Sequence, residues 1–398
     1  MSIRPFVAVA AATVMLTFGS SQIQAGFTEW MEKQWNAANE MASDAADAAK
    51  QTYEENWDIL PGEITVCTAK ELQGWMKELV VPEFKKKAPR IEIEIKAHGS
   101  GALVDAMNNG NTMECDILIT GSDISALRWK DYDINNKSYI AYSPTVWVGD
   151  KEKLDAARTF LGKVAGDPMN CTDLAKVAEQ RRYGRIQEGG KGKIDLEMTT
   201  SNSGQSMYVS CVYSILDAID PADVEDRLNA DPAGEDQVRE FFKAVKFKVP
   251  STTTLTLKGD GQFIHPNGVG YKHLAIATYE SLLLPLSKVF ADQGRTMEVI
   301  YPSIIILNNF PAVRITTEGK NGLATEAFVR YLTGTEAQQA IVGYGFRPAN
   351  PSVKYGDEPA AKFFNTDIEV GDPPTSRQML RDLWDIVADD PKAKAVQF

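Results

Sequence analysis

The chain has little histidine and little cysteine: among 398 residues there are three of the former, His98, His265 and His273, and four of the latter, Cys67, Cys115, Cys171 and Cys211. No two cysteines are near neighbours, which argues against a zinc site of the usual close Cys pair. Positive charge is also short. Against 54 Asp and Glu stand 42 Lys and Arg, a formal net charge of −12. The basic runs Lys85-Lys86-Lys87 and Arg181-Arg182 are brief, set among acids, and read as solvated helix ends. Nucleic-acid binders neutralise phosphates with clustered cations, so that partner is not expected. Beyond residue 25 no apolar run approaches the ~20 residues of a membrane span. Gly-x-Ser-x-Gly, Gly-x-x-x-x-Gly-Lys and His-Glu-x-x-His are all missing, and with them the usual placements for acyl transfer, nucleotide binding and zinc hydrolysis. The nearest base and nucleophile, His98 and Ser100, stand two residues apart before a helix, a spacing that does not by itself make a hydrogen-bonded pair. An enzyme, a cofactor and a bound metal are therefore not expected. Internal repeats and low-complexity tracts are absent as well.

What is present begins with a secretory signal over residues 1–25: Arg4 supplies positive charge, Phe6 to Phe18 is apolar and uncharged, and Ile23-Gln24-Ala25 ends on a small residue. No cysteine stands at the cleavage point to carry a lipid, so a free periplasmic protein is expected. In that oxidising compartment four cysteines form up to two disulfides, and spacing leaves all three connectivities open. Residues 26–60 follow as an amphipathic helical extension, with Trp30, Met31, Trp35, Ala38, Met41, Ala45 and Ala49 recurring at steps of three to five. It reads either as a helix docked on the protein's own core or as a partner surface. The rest of the chain, at ~150 residues per domain, is long enough for two domains.

From Glu63 the period alternates between strand and helix, the pattern of a helix-covered parallel or mixed sheet. Ile64 to Cys67 reads as a strand, Lys70 to Phe84 as a helix, Ile91 to Ile95 as a strand of strict two-residue alternation, Ala102 to Met107 as a helix and Cys115 to Ile119 as a strand. Two such βαβ units place their loops together at the strand C-termini. Further strands are expected at Ile194 to Met198 and His273 to Thr278, and a helix at Gln205 to Ala218. Helices at Thr325 to Leu332 and Glu336 to Val342 close the first lobe. The extended runs Ser138 to Val148 and Pro302 to Leu307 are candidate crossings between lobes.

Three loops of this pattern lie at strand ends and open helices: Thr68-Ala69, Gly99-Ser100-Gly101 and Ser201-Asn202-Ser203-Gly204. Glycine admits close approach to the backbone, serine hydroxyls donate, and a helix start favours negative charge. Helix capping is the plainer reading of each loop taken singly. Gly121-Ser122-Asp123 and Tyr279-Glu280-Ser281 add carboxylates beside donors. Within an anion site, Asp123 and Glu280 suit a protonated oxyanion or a ligand bearing a hydroxyl or amine.

Residues 63–351 resemble a type II extracellular solute-binding protein of the binding-protein-dependent (ABC) transporters, in the broad molybdate- and phosphate-binding group. The resemblance rests on His98-Gly-Ser-Gly-Ala102, the strand into Gly121-Ser-Asp123, Ser201-Asn-Ser-Gly204, Thr278-Tyr-Glu-Ser281 and the run Ala327 to Gln338 ending in Gly345-Phe-Arg-Pro348. It implies an α/β, two-lobed, periplasmic-binding-protein-like fold, each lobe a mixed sheet flanked by helices, with two hinge crossovers. Lobe I is then 61–144 and 303–398, the latter including a C-terminal helix, and lobe II is 145–302. Ser100, Gly101, Ser122 and Asp123 fall on lobe I, and Ser201, Ser203, Gly204 and Tyr279 on lobe II. The partners so implied are a small oxyanion or carboxylate and a membrane permease, with the protein monomeric. An exported sensing or assembly protein on the same fold is the alternative. Phosphate-binding relatives carry an arginine before the second Ser-Gly, where this chain has Glu197-Met198-Thr199-Thr200, which speaks against phosphate. Cross-lobe disulfides hinder closure, so the expected pairs are Cys67 with Cys115 and Cys171 with Cys211.

Overall fold

A computed structural model of the chain describes residues 57–133, 136–182, 195–199, 201–230, 232–248, 273–391 and 393. The segment expected to be a signal, the tryptophan-bearing stretch up to residue 56, Thr200 and His265 lie outside them. So do the side chains of Arg181, Arg182 and Glu197 to Thr199.

Among the described residues twelve strands form two five-stranded sheets and one short pair. In chain order they are β1 (Gly62–Ala69), β2 (Ile91–His98), β3 (Ile117–Ile119), β4 (Ser138–Tyr139), β5 (Thr145–Asp150), β6 (Asp195–Thr199), β7 (Val245–Lys248), β8 (His273–Tyr279), β9 (Met297–Ile300), β10 (Ile304–Ile305), β11 (Pro311–Arg314) and β12 (Glu369–Val370). The lobe I sheet has the order β2-β1-β3-β11-β4, and the lobe II sheet β7-β6-β8-β5-β9. The two share one plan. Three strands run parallel, and the next, β11 or β5, is antiparallel to both of its neighbours. That antiparallel strand is in each case the one the chain enters after crossing from the other lobe.

Local sequence accounts for these elements. In β1, Ile64 and Val66 alternate inward against helix Gly319–Thr333, where Ala324 and Phe328 complete the lobe I core. All six residues of β5 are buried, as a central strand covered on both faces requires. The expected helix from Lys70 runs on to Lys87, with a π turn at Met76–Val80 just before Pro82. Proline has no N–H and crowds the carbonyl four residues back, and widening the preceding turn relieves that crowding. Trp147, Tyr208, Phe241 and Phe242 fill lobe II. Among the described residues no helix is long and apolar enough to cross a membrane.

The cysteines pair as Cys67–Cys115 and Cys171–Cys211, each inside one lobe. Two expectations need correction. Among the described residues the links between lobes number three, because the chain crosses again after Arg347: β12 pairs with β10, and Gly371 N–H donates to Ile305 O at 3.0 Å. The C-terminal helix Arg377–Asp385 then packs on lobe II rather than lobe I. Leu380, Leu383 and Trp384 join its core, and Tyr208 Oη donates to Leu383 O at 2.7 Å. An apolar helix face goes where an unfilled apolar surface awaits it, and Tyr208 and Phe242 meet Trp384 edge-on.

Candidate functional site

Every loop singled out in the sequence lies at the C-terminal end of a parallel strand: Thr68-Ala69 as the last two residues of β1, Ser100-Gly101 after β2, Ser122-Asp123 after β3, Ser201 to Gly204 after β6, and Tyr279-Glu280 where β8 ends. Sheets of this winding present those ends to the interlobe cleft.

The two lobes meet there directly. Helix Asn202–Leu216 of lobe II projects the Asn202 side chain, 3% exposed, against lobe I. Its Oδ1 accepts from Ser125 Oγ at 2.5 Å and from the Ser122 hydroxyl. Its Nδ2 donates to Tyr279 Oη at 3.0 Å and to Asn308 Oδ1 at 2.8 Å. Gly121 makes this approach possible, since a Cβ there would stand 2.8 Å from Asn202 Nδ2. Ser100 Oγ accepts from Gly121 N–H at 2.8 Å, tying two lobe I loops together. Beside the polar contact, Ile124 and Leu127 of lobe I are buried in the lobe II apolar cluster.

The remaining candidate residues fall into two groups. Ser203 Oγ lies 3.2 Å from Ser201 Oγ; Thr68 and Ala69, the last residues of β1, are buried, and Thr68 Oγ1 donates to Ala69 O at 3.4 Å. Gly101 stands beside Arg128, and the Gly204 N–H is taken up by Ser201 O at 3.0 Å. Tyr279 is held as a neutral phenol: burial first, then the carboxylate of Glu71, raise its pKa well above the ordinary value, although hydrogen bonds with Asn202 and Ser203 pull the other way.

Asp123 and Glu280 form the second group, and both are committed inside the protein. The Asp123 carboxylate accepts from Lys137 Nζ at 2.6 Å, Tyr139 Oη at 2.6 Å, Asn309 Nδ2 at 2.7 Å and the Tyr132 hydroxyl. Burial lowers the Lys137 pKa, and Asp123 acts in the opposite direction. Glu280 is gripped by Arg347, whose Nε and Nη2 each donate at 2.7 Å, and by Tyr301 Oη at 2.5 Å. With its acceptor positions engaged by four donors of the chain, Asp123 fixes the loop that carries Ser122 and Ser125. Each acid at the cleft edge is balanced by a buried cation, so neither repels an anion there at full strength.

Sequence reasoning missed Asn202, Ser125, Asn308, Lys137 and Arg347. Asn202 enters the sequence reading only as part of the Ser201 to Gly204 loop, without a contact of its own, and Ser125 lies one turn past Ser122; Arg347 enters only within the Gly345 to Pro348 run, and Asn308 and Lys137 carry no local signal. Next to the polar contact a groove of about 440 Å³ opens between the lobes, with Lys70, Glu71 and Tyr344 on one side and Ser281, Leu282 and Pro285 on the other.

Two α/β lobes joined by crossing strands, with polar loops of both meeting in the cleft, define a two-lobed binding protein. The chain belongs to the family of bacterial extracellular solute-binding proteins, which it matches over residues 64–347. No curated protein matches it in sequence. Solved structures similar to it include the sulfate-binding protein SubI of Mycobacterium tuberculosis, at 16% identity and a TM-score of 0.52, covering 80% of this chain and 96% of that one. The GacH receptor of Streptomyces glaucescens, solved unliganded and with acarbose, is similar at 13% identity and a TM-score of 0.55, over 85% and 96% of the two chains. The ferric binding protein of Campylobacter jejuni matches at 12% identity and a TM-score of 0.55, over 82% and 98%. At these identities the likeness concerns the fold, and the partners in those names differ widely in chemistry.

Proposed function

We propose that the chain is an exported solute-binding protein that captures a small ligand bearing an oxyanion or carboxylate between its lobes and delivers it to the permease of an ABC transporter. The observation that carries this reading is the seat of Asn202 Oδ1, where hydroxyls of Ser122 and Ser125 from one lobe converge on an oxygen presented from the other. A ligand oxygen placed there meets the same donors. Helices Ser100–Asn108 and Asn202–Leu216 start on that edge, and their first N–H groups and dipoles favour negative charge. Ser100, Ser203 and Tyr279 supply further hydroxyls, Gly101 admits the ligand to the backbone, and Thr68 and Ala69 line the floor. Asp123 and Glu280 act on the ligand through the loops they hold.

The magnitudes suffice. A hydrogen bond to a charged group contributes roughly 1.5–3 kcal/mol and micromolar affinity needs about 8 kcal/mol, so four or five donors reach it, with a margin for ordering costs, when each contributes toward the upper end of that range. Isothermal titration of the mature protein against a panel of inorganic oxyanions and small carboxylates tests the reading. One class is expected to bind, and Ser125→Ala is expected to weaken it roughly 10- to 150-fold, the equivalent of one such bond. Equal affinity in Ser122→Ala, Ser125→Ala and Ser203→Ala alike would move the site elsewhere, and a cationic ligand would end the anion reading.

A further inference from the structure

A group of the chain itself occupies the point where donors from both lobes meet. The carboxamide of Asn202 offers two donor hydrogens and two acceptor lone pairs, and its four hydrogen bonds to Ser122, Ser125, Tyr279 and Asn308 use that capacity in full. Three of those partners are hydroxyls, which rotate to donate or accept. Asn308 has no such freedom. It is fully buried, and its Nδ2 donates to Ser143 O at 2.8 Å and Thr145 Oγ1 at 2.7 Å. The Ser143 carbonyl has only lone pairs to offer, which settles that the nitrogen end of Asn308 faces it. Asn308 Oδ1 therefore faces the cleft, where it accepts from Asn202 Nδ2 and from Ser206 Oγ at 2.6 Å. Whatever replaces the Asn202 carboxamide meets two hydroxyls ready to donate on one side and a fixed acceptor on the other.

We infer that Asn202 is an intramolecular stand-in for the ligand's head group, and that Asn308 Oδ1 makes the cleft select heads carrying a donor hydrogen beside the acceptor oxygen. Protonated oxyanions, protonated acids and primary carboxamides qualify; a fully deprotonated anion leaves Asn308 Oδ1 facing an oxygen lone pair. The inference rests on the interlobe cleft being the ligand site. Selection of the protonated form thus passes from Asp123, whose carboxylate is occupied, to Asn308. Ligand entry requires Asn202 to swing out.

The test uses Asn202→Ala, which vacates a space of carboxamide size, and two probes of nearly equal shape: acetamide, which has the missing donor, and acetate, which lacks it. In thermal melts at pH 7 the variant is expected to unfold at least about 4 °C below wild type. Acetamide is expected to restore at least half of that loss without moving wild type, and acetate at equal concentration to restore none. Restoration by acetate as large as by acetamide, or none by acetamide, overturns the inference.

Should Asn202→Ala not fold, Asn202→Asp gives the same answer, because a carboxylate there has no hydrogen for Asn308 Oδ1 until it is protonated. Its folded-state pKa is then raised above the unfolded value of about 3.9. The resulting deficit is present at neutral pH and is relieved as the pH falls through that folded value. Around this position stand Tyr279, Glu71 acting on it, and the Asp123–Lys137 pair behind Ser122. Wild type carries the same groups, so the difference between the two proteins isolates the new carboxyl, and a difference that does not change with pH contradicts the inference. Neither measurement needs the natural ligand. Absence of oxyanion binding by wild type would end the functional reading alone, whereas failed rescue with oxyanion binding intact would end only the stand-in.

Discussion

Replacing Arg347 with methionine is expected to destabilise the protein by about 3–5 kcal/mol, as removal of one member of a buried ion pair does. Both side chains of the Glu280–Arg347 pair are 0% exposed. Burial opposes the charge on Arg347, yet Glu280 beside it outweighs burial and leaves its pKa raised. Without the cation, Glu280 keeps the Tyr301 hydroxyl and loses both guanidinium bonds. The position magnifies the effect, because the cluster ties the three crossings to one another. Arg347 exchanges backbone hydrogen bonds with Tyr142 on the first, Tyr301 stands at the entry to the second, and Asn365 O on the third accepts from Arg347 Nη2 at 2.6 Å. Urea unfolding measures the loss. Adding Glu280→Leu to Arg347→Met is expected to recover a substantial part of it, since a neutral pair leaves no uncompensated buried charge. A single variant within 1 kcal/mol of wild type would show that the pair does not hold the crossings.

Replacing Cys171 and Cys211 with alanine is the second large effect. The bond closes a loop across a sequence separation of 40, for which the chain-entropy account gives about 4 kcal/mol. It joins the first residue of helix Cys171–Arg182 to the middle of helix Asn202–Leu216, so it also fixes the helix that carries Asn202 into the cleft. Equilibrium unfolding under non-reducing conditions is expected to show the loss, with lobe I keeping its own Cys67–Cys115 bond. Peptide mapping without reductant is expected to return those two pairs, and a bond joining Cys67 or Cys115 to Cys171 or Cys211 would contradict the lobe assignment.

The parts of the fold legible in the sequence are those that local pattern determines. The alternation of β2, the β-branched start of β1 and the Ser-Gly helix openings each report their own surroundings, and those openings do stand at strand ends leading into helices. The third crossing escaped because residues 351–376 carry almost no periodic pattern. Leu380, Leu383 and Trp384 do mark an apolar helix face, but which lobe it covers depends on the cavity left beside Tyr208 and Phe242, a property of the assembled core. Asp123 and Glu280 look like ligand groups in sequence for a related reason. Their partners Lys137 and Arg347 lie 14 and 67 residues away, and nothing short of the fold brings those cations to them. Asn202 was passed over because an amide between two serines at a helix start reads as a cap; its role follows from the opposite lobe.

Native mass spectrometry of the exported protein, set beside the Ser122→Ala/Ser125→Ala double variant, tests the central claim most directly. Capture of a small ligand between the lobes predicts a noncovalent adduct of low mass on the wild type that fragments as a carboxylic acid or oxyanion and is missing from the double variant. An adduct retained undiminished when both serine hydroxyls are gone would contradict the claim.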